Sequence, residues 1–299
     1  MKLVTYRRAD GAEVAGIVRA DKVVEVGQSA PQLPTTVRGL LEADALSALA
    51  TAVEGADVSA APGIDDVELC APLPQPGKII CLAGNYQEHI REEGGPGKDK
   101  ATSPPHLFMK PATTVLPPNG TIGYPSITDQ LDHEIELGVV IGRPAKGVAE
   151  ADALACVAGY TICNDVSSRR IIDIVNPDRE RTEREKFFDW LIGKWQDGAL
   201  PMGPYLVTGD EVNDALDLAM KLWVNGDLRQ QGSTGQMIYT AAEIVAFVSR
   251  LTTLEPGDII STGTPAGVGA ATGKFLKPDD RVECEIEGLG RLTTHVGAA

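Results

Sequence analysis

At 299 residues with 43% hydrophobic content, the chain can bury a sizeable core, as one large domain or as a small one beside a large one. A formal net charge of −15 argues against nucleic acid and anionic membrane surfaces as partners, because both would repel it. A small molecule or another protein is the partner class that remains.

The N-terminal MKLVTYRRADG lacks the apolar centre of a signal peptide, and no run of about eighteen apolar residues follows, so a cytoplasmic protein is expected. Cys70, Cys81, Cys156, Cys163 and Cys284 are scattered, odd in number and without a CxxC pair, which reads as buried free thiols.

Residues 1–70 form a small module: strands in MKLVTYRR, EVAGIVRA and KVVEV, turns at Asp10-Gly11 and Ala20-Asp21, then helical stretches over residues 36–54. The Pro-rich APLPQPGK, residues 71–78, reads as a linker, since it can hold neither a helix nor a central strand. Short apolar strands follow in KIICLAG, in HLFMK and over residues 157–163, the last behind a short helix from about Glu150. Asn225-Gly226 between two strand-like runs predicts a hairpin. Thr240 and Glu243 form a capping box ahead of a helix over residues 240–251. Strand and glycine loop return in LEPGDIISTGTPAGVG, and RVECEIEGLGRLTTHV closes the chain with two more strands. The fold class is α+β, predominantly β, with a folded-over sheet rather than a run of βαβ units.

The stretch LDHEIELGVVI, residues 131–141, alternates with period two. As a strand it puts Leu131, His133, Ile135, Leu137, Val139 and Ile141 on one face and Asp132, Glu134 and Glu136 on the other. Like charges spaced roughly 6.5–7 Å along a partly desolvated strand repel unless a cation lies between them. An all-oxygen set suits Mg²⁺, Mn²⁺ or Ca²⁺, whereas zinc would ask for His or Cys alongside. Such a row is also ordinarily a solvated outer face, and these residues alone leave both readings open.

Asp165 ends the strand AGYTICND, where it can meet the acidic row from a neighbour, with Arg169 and Arg170 just beyond. In GNYQEHIREEGG, His89 and Glu92 are three apart, so on a helix the carboxylate can orient the imidazole as a general base. The following GGPGKDK is a candidate mobile lid. The loop GTPAGVG, residues 263–269, lets backbone amides approach an anion and adds the Thr264 hydroxyl, although no P-loop sequence is present. Lys194 lies among strand-breaking residues, where a lysine is ordinarily a surface charge.

Taken together and in order, GNYQEHIREE, LFMKP, HEIELGVVIG, ICNDVSSR, the Lys194 region with PMGPYLV, KLWVNGDLRQ and GDIISTGTPAGVG resemble the fumarylacetoacetate hydrolase superfamily. The resemblance implies a mixed β-sandwich roll over residues 71–299 behind the N-terminal α+β domain of residues 1–70. It implies Glu134, Glu136 and Asp165 as ligands of Mg²⁺ or Mn²⁺, and His89 with Glu92 as a water-activating dyad. It further implies Lys194 and Arg169 beside the reacting oxygens, Thr264 and Tyr86 as substrate contacts, and a homodimer. Many relatives carry glutamine seven residues after the aspartate, where this chain has Ile172, and the segment 179–195 is longer and more charged, which suggests a pocket less polar at one end.

The activity so implied is hydrolysis of a carbon–carbon bond in a 2,4-dioxo acid. The same platform also serves oxaloacetate decarboxylation, tautomerisation or isomerisation of a 2-oxo acid, and sugar-acid dehydration. A protein of another class, metal-binding but inactive, is the further alternative.

Overall fold

Val- and Ile-rich runs dominate the middle of the chain, and in the computed structural model they assemble into two packed sheets. Residues 1–171, 180–212 and 217–298 are described; Ile172 and Arg179, singled out above, lie outside them. The larger sheet runs in the order Lys22–Glu25, Glu13–Arg19, Lys2–Arg7, Leu200–Thr208, Val157–Asn164, Ile135–Ile141, Ile259–Ser261, Ile79–Ala83, His106–Lys110. Neighbours along it are antiparallel except Ile259–Ser261 against Ile79–Ala83. The second sheet runs Asp227–Ser233, Ala219–Val224, Arg281–Ile286, Gly290–Val296, Thr121–Ile122.

One large core contains Ile135, Leu137, Val139 and Ile141 together with Leu222, Cys284 and Leu292 of the second sheet and Ile244 and Val248 of the helix Ala241–Leu251. Both faces of Ile135–Ile141 are buried, so its acidic face is no solvated exterior. The helix carries the expected box, Thr240 accepting from the Glu243 amide and Glu243 from that of Thr240. Asn225 and Gly226 take φ of 53° and 84° between their strands, the left-handed pair that a tight hairpin needs.

The change of texture near residue 70 does not divide the sheet. Lys2 and Leu3 pair with Val207 and Leu206, and Leu3, Ile17 and Leu40 share a core with Ile79, Val140 and Met202. The Pro-rich segment is packed: Ala71, Pro72 and Leu73 are buried, and Thr5 donates to the Pro72 carbonyl. No helix among the described residues is long and apolar enough to cross a membrane.

Candidate metal and acid–base site

The expected unbroken alternation across residues 131–141 fails at His133–Glu134, between the strands Leu131–Asp132 and Ile135–Ile141. Side chains take over the backbone amides there: Glu134 N–H donates to Asn164 Oδ1 at 2.9 Å, and Ile135 N–H to Gln230 Oε1 at 3.1 Å. The break separates the acids. Asp132 turns away, accepting from the amides of Gly269 and Ala270 and from Arg169 Nε at 2.8 Å.

Glu134, Glu136 and Asp165 converge instead, with one oxygen from each within 4.8 Å of the others and all three buried. Asp165 is carried there by Val157–Asn164, its N–H bonded to the Glu134 carbonyl at 2.8 Å. Lys194 Nζ bridges Glu134 and Asp165 at 2.5 and 2.7 Å, and Lys110 Nζ reaches the other Asp165 oxygen at 2.6 Å. Arg169 closes on Glu134. Lys194 holds its place through Gly193, whose carbonyl accepts from Ser168 N–H; a β-carbon on Gly193 would stand 2.2 Å from the Ser168 carbonyl oxygen.

These charges split the carboxylates. Burial alone would raise Glu134, but Arg169 and Lys194 outweigh it and bring its pKa down to about 2. Glu136 accepts from the Ser261 hydroxyl at 2.6 Å and the Gly263 amide at 2.9 Å, and among the described residues no ammonium or guanidinium is bonded to it. Burial, then the charges of Asp165 and Glu134, push it up to about 8. A further positive charge beside Glu136 is what would let all three ionise together. The set is all-oxygen, so the residues fit a hard divalent cation.

His89 and Glu92 share the helix Gln87–Glu92, with Nδ1 and Oε1 at 2.9 Å. The other Glu92 oxygen accepts from the Gly267 amide at 2.8 Å, tying the dyad to the glycine loop. Burial opposes charging of His89, yet its bond to Glu92 and the charges of Glu134 and Glu93 prevail, so its pKa is raised. The segment after this helix is pinned by Lys98 N–H on Gln87, an ion pair of Lys100 with Glu243, and the Tyr239 hydroxyl on the Ser103 carbonyl.

A small cavity is lined by His89, Glu134, Glu136, Arg169, Lys194 and Thr264, with Glu93, Phe108 and Trp190 also in its wall. Phe108 and Trp190 meet edge to face at 5.0 Å, and the Lys194 ammonium lies over both rings. Trp190, from the segment before Lys194, and Phe108 give this side of the cavity aromatic faces. Tyr86 does not line this cavity: its hydroxyl donates to Met220 Sδ at 3.4 Å, and the residue borders a neighbouring cavity with Pro265 and Ala266. Sequence reasoning passed over Lys110, Glu93 and Gln230. Lys110 had a signal, since alternation in HLFMK puts it on the same face as Phe108, an odd place for a solvated lysine.

Residues 78–297 match the pattern of the fumarylacetoacetate hydrolase C-terminal domain. The chain belongs to the fumarylacetoacetate hydrolase family. This family member is 35% identical to the Xenopus laevis mitochondrial oxaloacetate tautomerase over 302 residues, 99% of this chain and 90% of the relative. Its structure is similar to the fumarylacetoacetate hydrolase of Exiguobacterium antarcticum, with 32% identity, a TM-score of 0.79 and full coverage of both chains. It is also similar to maleylpyruvate hydrolase from Sphingobium sp. SYK-6 in complex with manganese(II) and pyruvate, with 27% identity, a TM-score of 0.75 and 99% of each chain covered.

Proposed function

We propose that the chain is a divalent-metal-dependent enzyme that interconverts the keto and enol forms of a short 2-oxo diacid of the oxaloacetate type. The observation that carries this reading is one imidazole, with Nδ1 already committed to Glu92, facing the same cavity as Glu134 and Glu136 of the convergent carboxylate cluster. One imidazole that takes and returns a proton is enough for such an interconversion, with no separate attacking water required. The oxaloacetate tautomerase relative, aligned over nearly the whole chain, supports the same choice, and the hydrolytic reading gives way to it.

Mg²⁺ or Mn²⁺ held by Glu134, Glu136 and Asp165 would supply Lewis-acid polarisation of the 2-oxo group. The protein's own groups do the rest. Because Glu92 accepts from Nδ1–H, His89 Nε2 is left with the lone pair and takes a proton from the carbon beside the carbonyl. The electron pair of that C–H bond becomes the carbon–carbon π bond, the carbonyl π pair moves to the 2-oxo oxygen, and that oxygen takes the proton back from the His89 imidazolium to give the enol. Glu93, 3.8 Å from Nε2, steadies the imidazolium. Burial opposes the Lys194 charge, but Asp165 and Glu134 raise its pKa, so it donates a hydrogen bond to the developing oxyanion rather than surrendering a proton. Arg169, braced by Asp132, and Thr264 bind carboxylate oxygens.

The expected homodimer belongs to this reading; the exposed Phe187, Phe188 and Trp195 give a second copy an apolar surface, and light scattering in solution decides it. The amphibian relative is named as mitochondrial, so a cytoplasmic location is not general among the relatives.

The test follows the decay of enol absorbance in fresh oxaloacetate with Mg²⁺ present and then chelated, with carbon dioxide release and acylpyruvate cleavage measured alongside. Acceleration that chelation abolishes is expected. Cleavage of acylpyruvates with no acceleration of oxaloacetate enolisation would return the hydrolytic reading to first place.

A further inference from the structure

The geometry points to Gln230 as the residue that aims the Thr264 hydroxyl at a substrate carboxylate, a positioning role in the site proposed above. Gln230 is fully buried, and all four of its hydrogen-bonding positions are used. Its Nε2 donates to Thr264 Oγ1 at 2.8 Å and to the Pro265 carbonyl at 2.8 Å. Its Oε1 accepts from Ile135 N–H at 3.1 Å and faces His133 Nδ1 at 3.3 Å.

The amide orientation is fixed by partners that have only one role. A backbone N–H only donates, so the atom facing Ile135 is the oxygen; a backbone carbonyl only accepts, so the atom facing Pro265 is the nitrogen. Thr264 Oγ1 therefore receives a hydrogen bond, and its own proton must go elsewhere. Among the described residues that proton finds no protein acceptor, and Thr264 lines the cavity shared with Arg169 and Lys194. A hydroxyl that already accepts one hydrogen bond and has no protein acceptor for its own proton offers that proton to the cavity, which favours an anionic or carbonyl oxygen there. Through Ile135 the same amide also grips the start of the strand that carries Glu136, so substrate anchor and carboxylate floor share one brace.

The inference rests on Thr264 contacting substrate, and the experiment separates the two ideas. In Thr264→Val the KM for oxaloacetate should rise on the order of tenfold, the loss of one hydrogen bond to a charged oxygen, with kcat little changed. Gln230→Glu puts an acceptor where the donor was, so the carboxylate captures the hydroxyl proton and KM should rise to the same extent. In the double variant the two changes should not add, because both remove one hydrogen bond. An unchanged KM in Thr264→Val overturns the inference together with the reading beneath it. A raised KM in Thr264→Val, with Gln230→Glu silent or fully additive, overturns the inference alone. If Gln230→Glu does not fold, a crystal of the unaltered protein soaked with Mn²⁺ and pyruvate decides. Thr264 Oγ1 should lie within hydrogen-bond reach of a pyruvate oxygen while keeping its bond from Gln230 Nε2; Oγ1 bonded instead to a protein carbonyl would end the proposal.

Discussion

The floor and the wall of the cavity are built on opposite terms. Glu134, Glu136 and Asp165 lie on or beside central strands, with Lys110 and Lys194 threaded between them, and all five are buried. The wall hangs from two helices, Gln87–Glu92 with His89 and Glu183–Ile192 with Trp190, and the second of these buries none of its residues. Breaking a buried ion pair leaves an uncompensated charge and costs about 3–5 kcal/mol, whereas helices with few buried contacts open locally far below the global stability. A fixed floor suits a cation that demands set ligand distances, and a looser wall suits admission and release of substrate. The two parts should therefore fail differently.

The largest effect is expected from the floor. Asp165→Asn or Glu136→Gln should lower Mn²⁺ affinity, measured by calorimetric titration, by more than the roughly 10–100-fold typical of losing an outer-shell partner. Undiminished affinity would break the comparison, since the floor would then not be the metal seat. Next comes the wall: His89→Ala should cut turnover on the order of 100-fold or more while leaving Mn²⁺ affinity intact, and loss of both would show that the parts do not act separately.

A smaller effect sharpens the role of Glu92. His89 must be neutral to act as base, so turnover should rise with pH through a histidine pKa displaced upward in the folded chain. Glu92→Gln removes the bonded charge that raises it, and the rising limb of the pH profile should move to lower pH. A limb that stays put would assign it to another group. Smallest of all, Trp190→Ala should change the KM for oxaloacetate by less than about tenfold while admitting longer 2-oxo acids. A panel of acids of increasing length, with turnover unchanged for every member, would remove Trp190 from the wall.

Much of this is legible in the sequence itself. The hairpin at Asn225-Gly226 and the helix behind Thr240 are set by local chemistry, and the structure has both. Glu134, Glu136 and Asp165 were recognisable as a set from motif order, and they do meet. What could not be read was the break at His133, because it depends on Asn164 and Gln230, partners 30 and 95 residues away from the amides they bind. Period two therefore assigned Asp132 to a row it leaves. Tyr86 shows a related limit: a motif names a residue without saying which way its side chain turns, and here its hydroxyl goes to Met220 Sδ. Lys110 escaped because a lysine in a short strand is ordinarily solvated, and only the tertiary fold brings Asp165 to it.

The missing side chain at Gly193 ties chemistry to mechanics. With the Ser168 carbonyl pressed against its α-carbon, this turn has no slack, and Lys194 follows directly behind the helix that carries Trp190. An outward swing of that helix would draw the ammonium away from Glu134 and Asp165, leaving only Arg169 and Lys110 to offset them until it returns. Opening the entrance and unbalancing the charges would then be a single movement, so the resting, shut form is favoured by the anions themselves.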